Sequence, residues 1–357
     1  MVSVTIDIGA LRNNLAVLRR LAPKSRVMAV IKANAYGHGL VAVARALESA
    51  DALAVARLGE ALTLREAGIE TQIVLLEGVL DREQLDAAAA ADLELVVHSA
   101  EQLELLKAGP AGAHFKVWLK LDSGMNRLGF KGDAFRAAHA ALSALPCVRV
   151  PVNLCTHLSS ADSPELPTTA EQLMVFEAAT RSLPGERSIV SSAALLGFPD
   201  SHADWVRPGL ALYGISPFRG TTGTDHGLRP VMTLCSRVIA LKDLAEGEQV
   251  GYGADWTATR PTRLAIASVG YGDGYPRSAA SGTPVLVNGE RAGLAGRVSM
   301  DMLAIDITEL QSPVQVGDPV VLWGDGLAVE EVALWAETIP YTLVCGISQR
   351  VVVTLRE

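Results

Sequence analysis

No stretch of this 357-residue sequence reaches the roughly 18 consecutive apolar residues that a membrane-spanning helix needs. Its opening residues, Met-Val-Ser-Val-Thr-Ile-Asp, lack both a basic segment and an apolar core, so no secretory leader is expected. Cysteine is scarce. Cys147, Cys155, Cys235 and Cys345 stand far apart and suit neither a disulfide framework nor a zinc site. A reduced, cytoplasmic protein without a metal centre is expected. Positive charge is in deficit, with 31 Lys and Arg against 39 Asp and Glu, a net charge of −8. That balance argues against a nucleic-acid or anionic-membrane partner. No block of like charge forms a tail. No Gly-x-Gly-x-x-Gly follows a first strand, which weakens a dinucleotide-binding open sheet. Lysine is the rarest charged residue, 7 against 24 Arg. Arginine is therefore the default cation, and each lysine that remains merits scrutiny.

What is present is ample apolar material, 49% of the chain, and a length that suggests two domains. Short apolar runs recur near 27–31, 53–56, 73–76, 93–97, 117–121, 152–155, 188–190 and 210–212. Most stretches between them carry helical spacing. Leu11, Leu15 and Leu18 share one face, and Leu103 with Leu106 another; the alanine run at 87–91 is most simply helix. Eight strands alternating with helices predict an α/β class protein with an N-terminal (β/α)8 TIM-like barrel. After about residue 228 strand-like runs come closely spaced, near 231–241, 264–269, 284–287, 302–307 and 320–323, with turn signals at Asn288-Gly289 and Gly324-Asp325-Gly326. This predicts a C-terminal, mostly antiparallel β domain with one late helix near 329–337. The expected division is 1–227 and 228–357, with residues 1–8 adding a strand to the β domain.

Chemistry in a barrel collects at the C-terminal ends of its strands. Those ends offer Lys32, Lys120 with Arg127 beyond it, His157, Ser191-Ser192, and Arg207 with Gly209. A lysine desolvated at a strand end is biased toward the neutral amine, which attacks carbonyls. Arginine cannot do this, because its guanidinium stays protonated. The cations with Ser192 and Gly209 suit a phosphate, and barrel phosphate sites use the loops after strands 7 and 8. Four of the six tyrosines, Tyr36, Tyr213, Tyr252 and Tyr271, precede glycine. Glycine there lets the backbone present a phenol to a ligand, although packing next to a turn explains any single case as well.

Several separated motifs occur in one order. They are Val30-Ile31-Lys32-Ala33-Asn34-Ala35-Tyr36-Gly37-His38-Gly39, Trp118-Leu119-Lys120-Leu121-Asp122-Ser123-Gly124-Met125-Asn126-Arg127-Leu128-Gly129, and Thr156-His157. Trp205-Val206-Arg207-Pro208-Gly209-Leu210-Ala211-Leu212-Tyr213-Gly214 follows, then Val250-Gly251-Tyr252-Gly253, Gly270-Tyr271-Gly272-Asp273-Gly274-Tyr275 and Gly296-Arg297-Val298-Ser299-Met300-Asp301-Met302. Together they closely resemble the alanine racemase family of bacterial, fold-type III, pyridoxal-phosphate-dependent enzymes, over nearly the whole chain. The resemblance implies that Lys32 carries pyridoxal phosphate and acts as one base, with Tyr252 of a partner subunit as the other. It implies phosphate contacts from Tyr36, Ser192, Gly209 and Leu210, with Arg207 facing the pyridine nitrogen. His157 would link Arg207 and Tyr252. Arg127, Met300 and Tyr271 would meet the substrate carboxylate region, with Asp301 beside them. Lys120 matches a lysine often carried as a carbamate. A head-to-tail homodimer with shared sites follows, interconverting L- and D-alanine for peptidoglycan or for alanine catabolism.

Two departures stand out. Some members have Asn where this chain has Ser191, and others carry a tyrosine where Gln349 falls. A glutamine cannot pack on Tyr252 as a ring would, which bears on pocket width and so on a serine or broader racemase as the alternative. A barrel-type decarboxylase would need an acidic partner where Arg207 stands. A non-catalytic pyridoxal-phosphate carrier would not need the β domain bearing Tyr252.

Overall fold

The computed structural model describes residues 2–110 and 112–357. Contacts divide the chain into two units: Asn14–Leu212, and the chain up to Asn13 together with Tyr213–Glu357.

The first unit is a closed parallel barrel of β2 to β9, where β1 is the strand Ser3–Asp7 of the other unit. The strands are β2 (Arg26–Val30), β3 (Ala52–Val55), β4 (Ile73–Leu75), β5 (Leu93–Val97), β6 (Val117–Lys120), β7 (Asn153–Cys155), β8 (Arg187–Ser191) and β9 (Trp205–Arg207). Closure comes from β9 pairing with β2, Arg26 opposite Trp205 and Val27 opposite Val206. Strands covered on both faces read as unbroken apolar runs, and β3, β4 and β5 are buried throughout. That is why seven of them were legible as short runs. The eighth is a correction. The run at 210–212 is not a strand, because Leu210–Tyr213 form a 3-10 turn, and the strand lies earlier at Trp205–Arg207. Pro208 has no N–H to continue a ladder and favours an extended residue before it, so β9 ends at Arg207.

Between strands, helices start where side chains satisfy free N–H groups. Asp81 accepts from Gln84 N (2.8 Å) to open the helix Arg82–Ala90, which contains most of the alanine run. Beneath the barrel, Glu94 is buried between Trp118 Nε1 (2.7 Å) and Lys116 Nζ (3.1 Å). Pairing of this kind is what allows a carboxylate in a core.

The second unit is an eight-stranded sheet. Its strands after β1 are β10 (Met232–Leu244), β13 (Thr262–Ala267), β14 (Pro284–Val287), β15 (Glu290–Leu294), β16 (Leu303–Asp306), β17 (Pro319–Trp323) and β18 (Val352–Arg356). A separate two-stranded ribbon joins β11 (Gln249–Val250) to β12 (Trp256–Thr257). The sheet order is β13-β16-β15-β14-β17-β10-β1-β18, and β13 also pairs with β10, so six strands close a ring. Pairings are antiparallel except β1 with β18. The N-terminal strand thus joins the β unit, held by Ser3 opposite Cys235 on one side and Val352 on the other. Asn288 (φ 52°) and Gly289 (φ 83°) make the tight turn between β14 and β15. Where one late helix was expected there are two, Val329–Trp335 and Pro340–Cys345, the second opening on Pro340 at its first turn.

The division falls at Tyr213, ahead of the 227/228 boundary read from the texture. The reason is a contact between residues far apart in the chain. Glu330 Oε1 accepts Ser216 N and Gly223 N, each at 2.8 Å, and Val231 N donates to Tyr213 O (3.2 Å). Among the described residues no helix is long and apolar enough to cross a membrane.

Candidate active site

The C-terminal ends of the barrel strands gather the expected residues. Lys32 stands two residues beyond β2, Lys120 ends β6, His157 lies two beyond β7, Ser192 follows β8 and Arg207 ends β9. Parallel register sets Lys120 beside Cys155 and Ser191 beside Arg207.

Arg207 is the buried centre of this group. Nη1 donates to Ser188 Oγ (2.6 Å), and Nη2 donates to Thr156 O (2.6 Å) and Ile189 O (3.2 Å). Nη2 also faces His157 Nδ1 at 3.4 Å. Every one of these acceptors is neutral. Ser188 Oγ can serve because its own proton goes to Trp205 O (3.0 Å). A donor-only guanidinium facing Nδ1 requires that nitrogen to present its lone pair. Burial holds the His157 imidazole well below its usual range, and the cations Arg207, Lys120, Arg127 and Lys32 lower it further. Burial likewise lowers Lys120, helped by Arg207, Arg127 and Lys32, with Cys155 opposing. The barrel mouth therefore concentrates positive charge without a carboxylate on Arg207, an environment for anions.

A cradle lies alongside. Ser192 Oγ accepts Gly209 N (2.9 Å) and Ala211 N (3.1 Å), which fixes the turn containing Leu210. A Cβ on Gly209 would fall 2.5 Å from Tyr36 Oη, so only glycine leaves the phenol its place. Tyr36, Ser192, Gly209 and Leu210 thus converge as the motifs implied. These groups fit a phosphate, and Lys32 at the adjoining strand end fits an aldehyde.

Between Lys32 and this cradle the chain does something the sequence did not announce. Ala33, Asn34, Ala35 and Tyr36 have φ of 55°, 53°, 54° and 54°, one turn of left-handed helix without a glycine in it. Each such residue costs roughly 1–2 kcal/mol. The turn is held by Leu40 N to Asn34 Oδ1 (2.8 Å), by buried His38 Nδ1 against Tyr36 O (2.8 Å) and Ala35 O (3.1 Å), and by Ala33 N to Glu60 Oε1 (2.6 Å).

Arg127 is exposed in the loop after β6. Asp122 Oδ1 folds that loop by accepting Gly124 N and Asn126 N, each at 3.0 Å. Behind it Ser123, Thr156 and Gln172 form a buried network: Ser123 Oγ to Thr156 Oγ1 is 2.8 Å, and Gln172 Nε2 reaches Ser123 Oγ and His157 O at 3.3 Å. Sequence reasoning missed Ser188, Gln172 and Glu60. Ser188 is the one polar member of the run at 188–190, which was the available signal; Gln172 and Glu60 sit on helices and gave none.

The β unit gathers the remaining residues. Tyr252 stands at the tip of the β11–β12 ribbon, 67% exposed, where Gly251 (φ 75°) and Gly253 (φ 77°) take backbone angles open to glycine. The Arg297–Asp255 ion pair braces this tip. Tyr271 N donates to Ser299 O (3.0 Å) and Gly272 N to Met300 O (2.8 Å). Arg350 ties that turn to its neighbour, with Nε on Asp273 Oδ1 and Nη2 on Asp301 Oδ1, each at 2.7 Å. Met300 is 53% exposed and Tyr271 39%, so this unit presents Tyr252, Tyr271 and Met300 outward. Among the described residues no group of three or more His, Cys, Asp or Glu could hold a metal ion.

Comparison with known proteins adds an independent line. Residues 6–217 match the family model "Alanine racemase, N-terminal domain", and residues 231–355 match "Alanine racemase, C-terminal domain". An alanine racemase of Aeromonas hydrophila is 51% identical over 346 residues, covering 97% of both chains. One from Shewanella sediminis is 49% identical over 97% of this chain and 96% of its own. Among solved structures, the biosynthetic alanine racemase of Pseudomonas aeruginosa aligns with a TM-score of 0.96 at 46% identity, over 100% of this chain and 99% of that one. The alanine racemase of Acinetobacter baumannii gives 0.94 at 38% identity, over 100% and 99%. Barrel, β unit and relatives matched end to end lead to one conclusion: the chain belongs to the alanine racemase family.

Proposed function

We infer that this chain interconverts L- and D-alanine with pyridoxal phosphate, supplying D-alanine for peptidoglycan or serving alanine catabolism. The observation that carries this reading is Arg207, a buried cation at a strand end bonded only to neutral acceptors. When bound, pyridoxal phosphate supplies an electron-withdrawing ring that acidifies the Cα–H of an attached amino acid. Tyr36, Ser192, Gly209 and Leu210 would hold its phosphate, and Lys32 Nζ would carry it. Arg207 would stand by the pyridine nitrogen and, as a fixed positive charge, would disfavour a proton there. That restrains how much charge the ring withdraws and favours prompt return of the Cα proton. A decarboxylase would want an acid at this position.

Racemisation needs a proton removed on one face and delivered on the other. Lys32 Nζ serves one face and Tyr252 Oη, from a partner subunit, serves the other. His157 supports Arg207 on one side and Tyr252 on the other. Arg127, with Met300 from the partner subunit and Tyr271 near it, orients the substrate carboxylate, Asp301 being beside Met300. Lys120, whose amine burial favours in its neutral form, carries a carbamate that turns a cation into an anion able to orient Arg127. A head-to-tail homodimer in the cytoplasm completes the reading. It is supported by the outward presentation of Tyr252 and Met300, which suits action on a neighbour.

The test is chiral chromatography of L-alanine incubated with the protein and pyridoxal phosphate, with Lys32→Ala as control. Equal enantiomers with the wild type alone support the reading. Alanine that stays wholly L refutes it, and serine and larger amino acids become the substrates to try.

A further inference from the structure

We propose that Glu60 is a positioning residue for Lys32, acting by clamping the left-handed turn that begins at Ala33. The proposal rests on the reading of Lys32 as the lysine that carries the cofactor.

Glu60 lies in the helix Leu58–Glu66 that follows β3. One carboxylate oxygen, Oε2, accepts Ala56 N (3.0 Å) and Arg57 N (3.2 Å), which on its own would be an ordinary helix-start cap. The other oxygen leaves the helix. Oε1 accepts Ala33 N at 2.6 Å, 27 residues back in the chain. β2 and β3 are parallel neighbours, Val30 opposite Ala54, and Ile31 N donates to Ala54 O (2.9 Å). The carboxylate therefore extends the pairing of these two strands past the point where the ladder stops, to the residue directly after Lys32.

Four successive non-glycine residues at φ of 53–55° do not persist without restraint. Asn34 and His38 secure the far side of the turn. Glu60 secures the side at the lysine. The turn has Lys32 at one end and Tyr36 at the other, and the Tyr36 phenol lies against Gly209. A single carboxylate outside the pocket thus sets the spacing between the amine that binds the aldehyde and the phenol that binds the phosphate. The partners of the Glu60 carboxylate are the backbone N–H groups of Ala33, Ala56 and Arg57.

The experiment compares full-length wild type, Glu60→Ala and Glu60→Gln. Hydrogen exchange of the segment 31–39 is measured without cofactor, and pyridoxal phosphate affinity is measured by equilibrium dialysis. Losing the Ala33 acceptor should speed exchange across 33–36 by about tenfold in Glu60→Ala and weaken cofactor binding by a similar factor, leaving β5 to β8 unchanged. Glu60→Gln keeps one acceptor oxygen and should fall between. In the loaded enzyme kcat should drop while KM for alanine stays near its wild-type value. Exchange and affinity within about twofold of wild type would overturn the proposal. So would faster exchange spread evenly over the barrel, which would make Glu60 a helix cap only. A Lys32→Ala control separates the two ideas. If hydride reduction still fixes the cofactor to that variant, the Lys32 reading fails, while the exchange data still decide whether Glu60 holds the turn.

Discussion

Arg207 Nη2 stands 3.4 Å from His157 Nδ1, where Arg207 ends β9 and His157 lies two residues beyond β7. The pair is a cation donating to a neutral imidazole. On the proposed reading it puts positive charge where a decarboxylase would keep an acid.

Replacing that cation by an acid should change the outcome of the reaction as well as its rate. Arg207→Glu would favour a protonated pyridine nitrogen and let negative charge reside longer on the ring. Racemisation should fall by about a hundredfold or more, and transamination per racemisation event should rise by about tenfold. Pyruvate released per D-alanine formed is the quantity to follow. A constant ratio would show that Arg207 does not govern the ring nitrogen.

The proposed sharing of active sites between subunits makes a quantitative prediction about mixed dimers. Lys32→Ala and Tyr252→Phe should each be nearly inactive alone. Mixed and allowed to exchange subunits, half the dimers become hybrids with one intact site, giving about a quarter of wild-type activity. Activity that stays at the level of the separate variants would place Tyr252 and Lys32 in the same subunit's site.

His38 makes stability depend on pH. Burial lowers its imidazole from 6.5 to about 4, against the raising effect of its bonds to Tyr36 O and Ala35 O. Between those two values the unfolded chain binds the proton and the folded chain does not. Stability is therefore full above about pH 6.5 and is lost as pH falls toward 4, by about 3 kcal/mol at most. His38→Gln should flatten this part of the profile while lowering stability near pH 7 by about 1–2 kcal/mol. Urea unfolding at several pH values, read beside wild type, measures both effects.

Lys120 should gain a carboxyl group. Burial and three nearby cations favour its neutral amine, the form that adds to carbon dioxide. Under bicarbonate, a structure at high resolution should show a carbamate directed at Arg127, and Lys120→Ala should lose activity that added short carboxylic acids partly restore. A bare ammonium with unaltered activity would remove the idea.

The pattern of residues determined a good deal by itself. Apolar runs with helical spacing between them made the barrel legible, because strands buried on both faces cannot hide their composition. Lys32 was legible because it directly follows such a run, Lys120 because it lies within one, and His157 and Ser192 because they fall two residues past theirs; Arg207 was legible from the motif Trp205–Gly214 that carries it. Only the tertiary structure decided the rest. The eighth strand was misplaced because Trp205–Arg207 is no more apolar than the turn at 210–212; pairing to β2 chose between them. Residues 213–227 joined the β unit through the Glu330 carboxylate, a contact over about a hundred residues that no local pattern encodes. The left-handed turn at 33–36 contains no glycine to signal it. It exists because Glu60, Asn34 and His38 supply hydrogen bonds that offset its strain, and Glu60, 27 residues on, meets it only once β2 and β3 have paired.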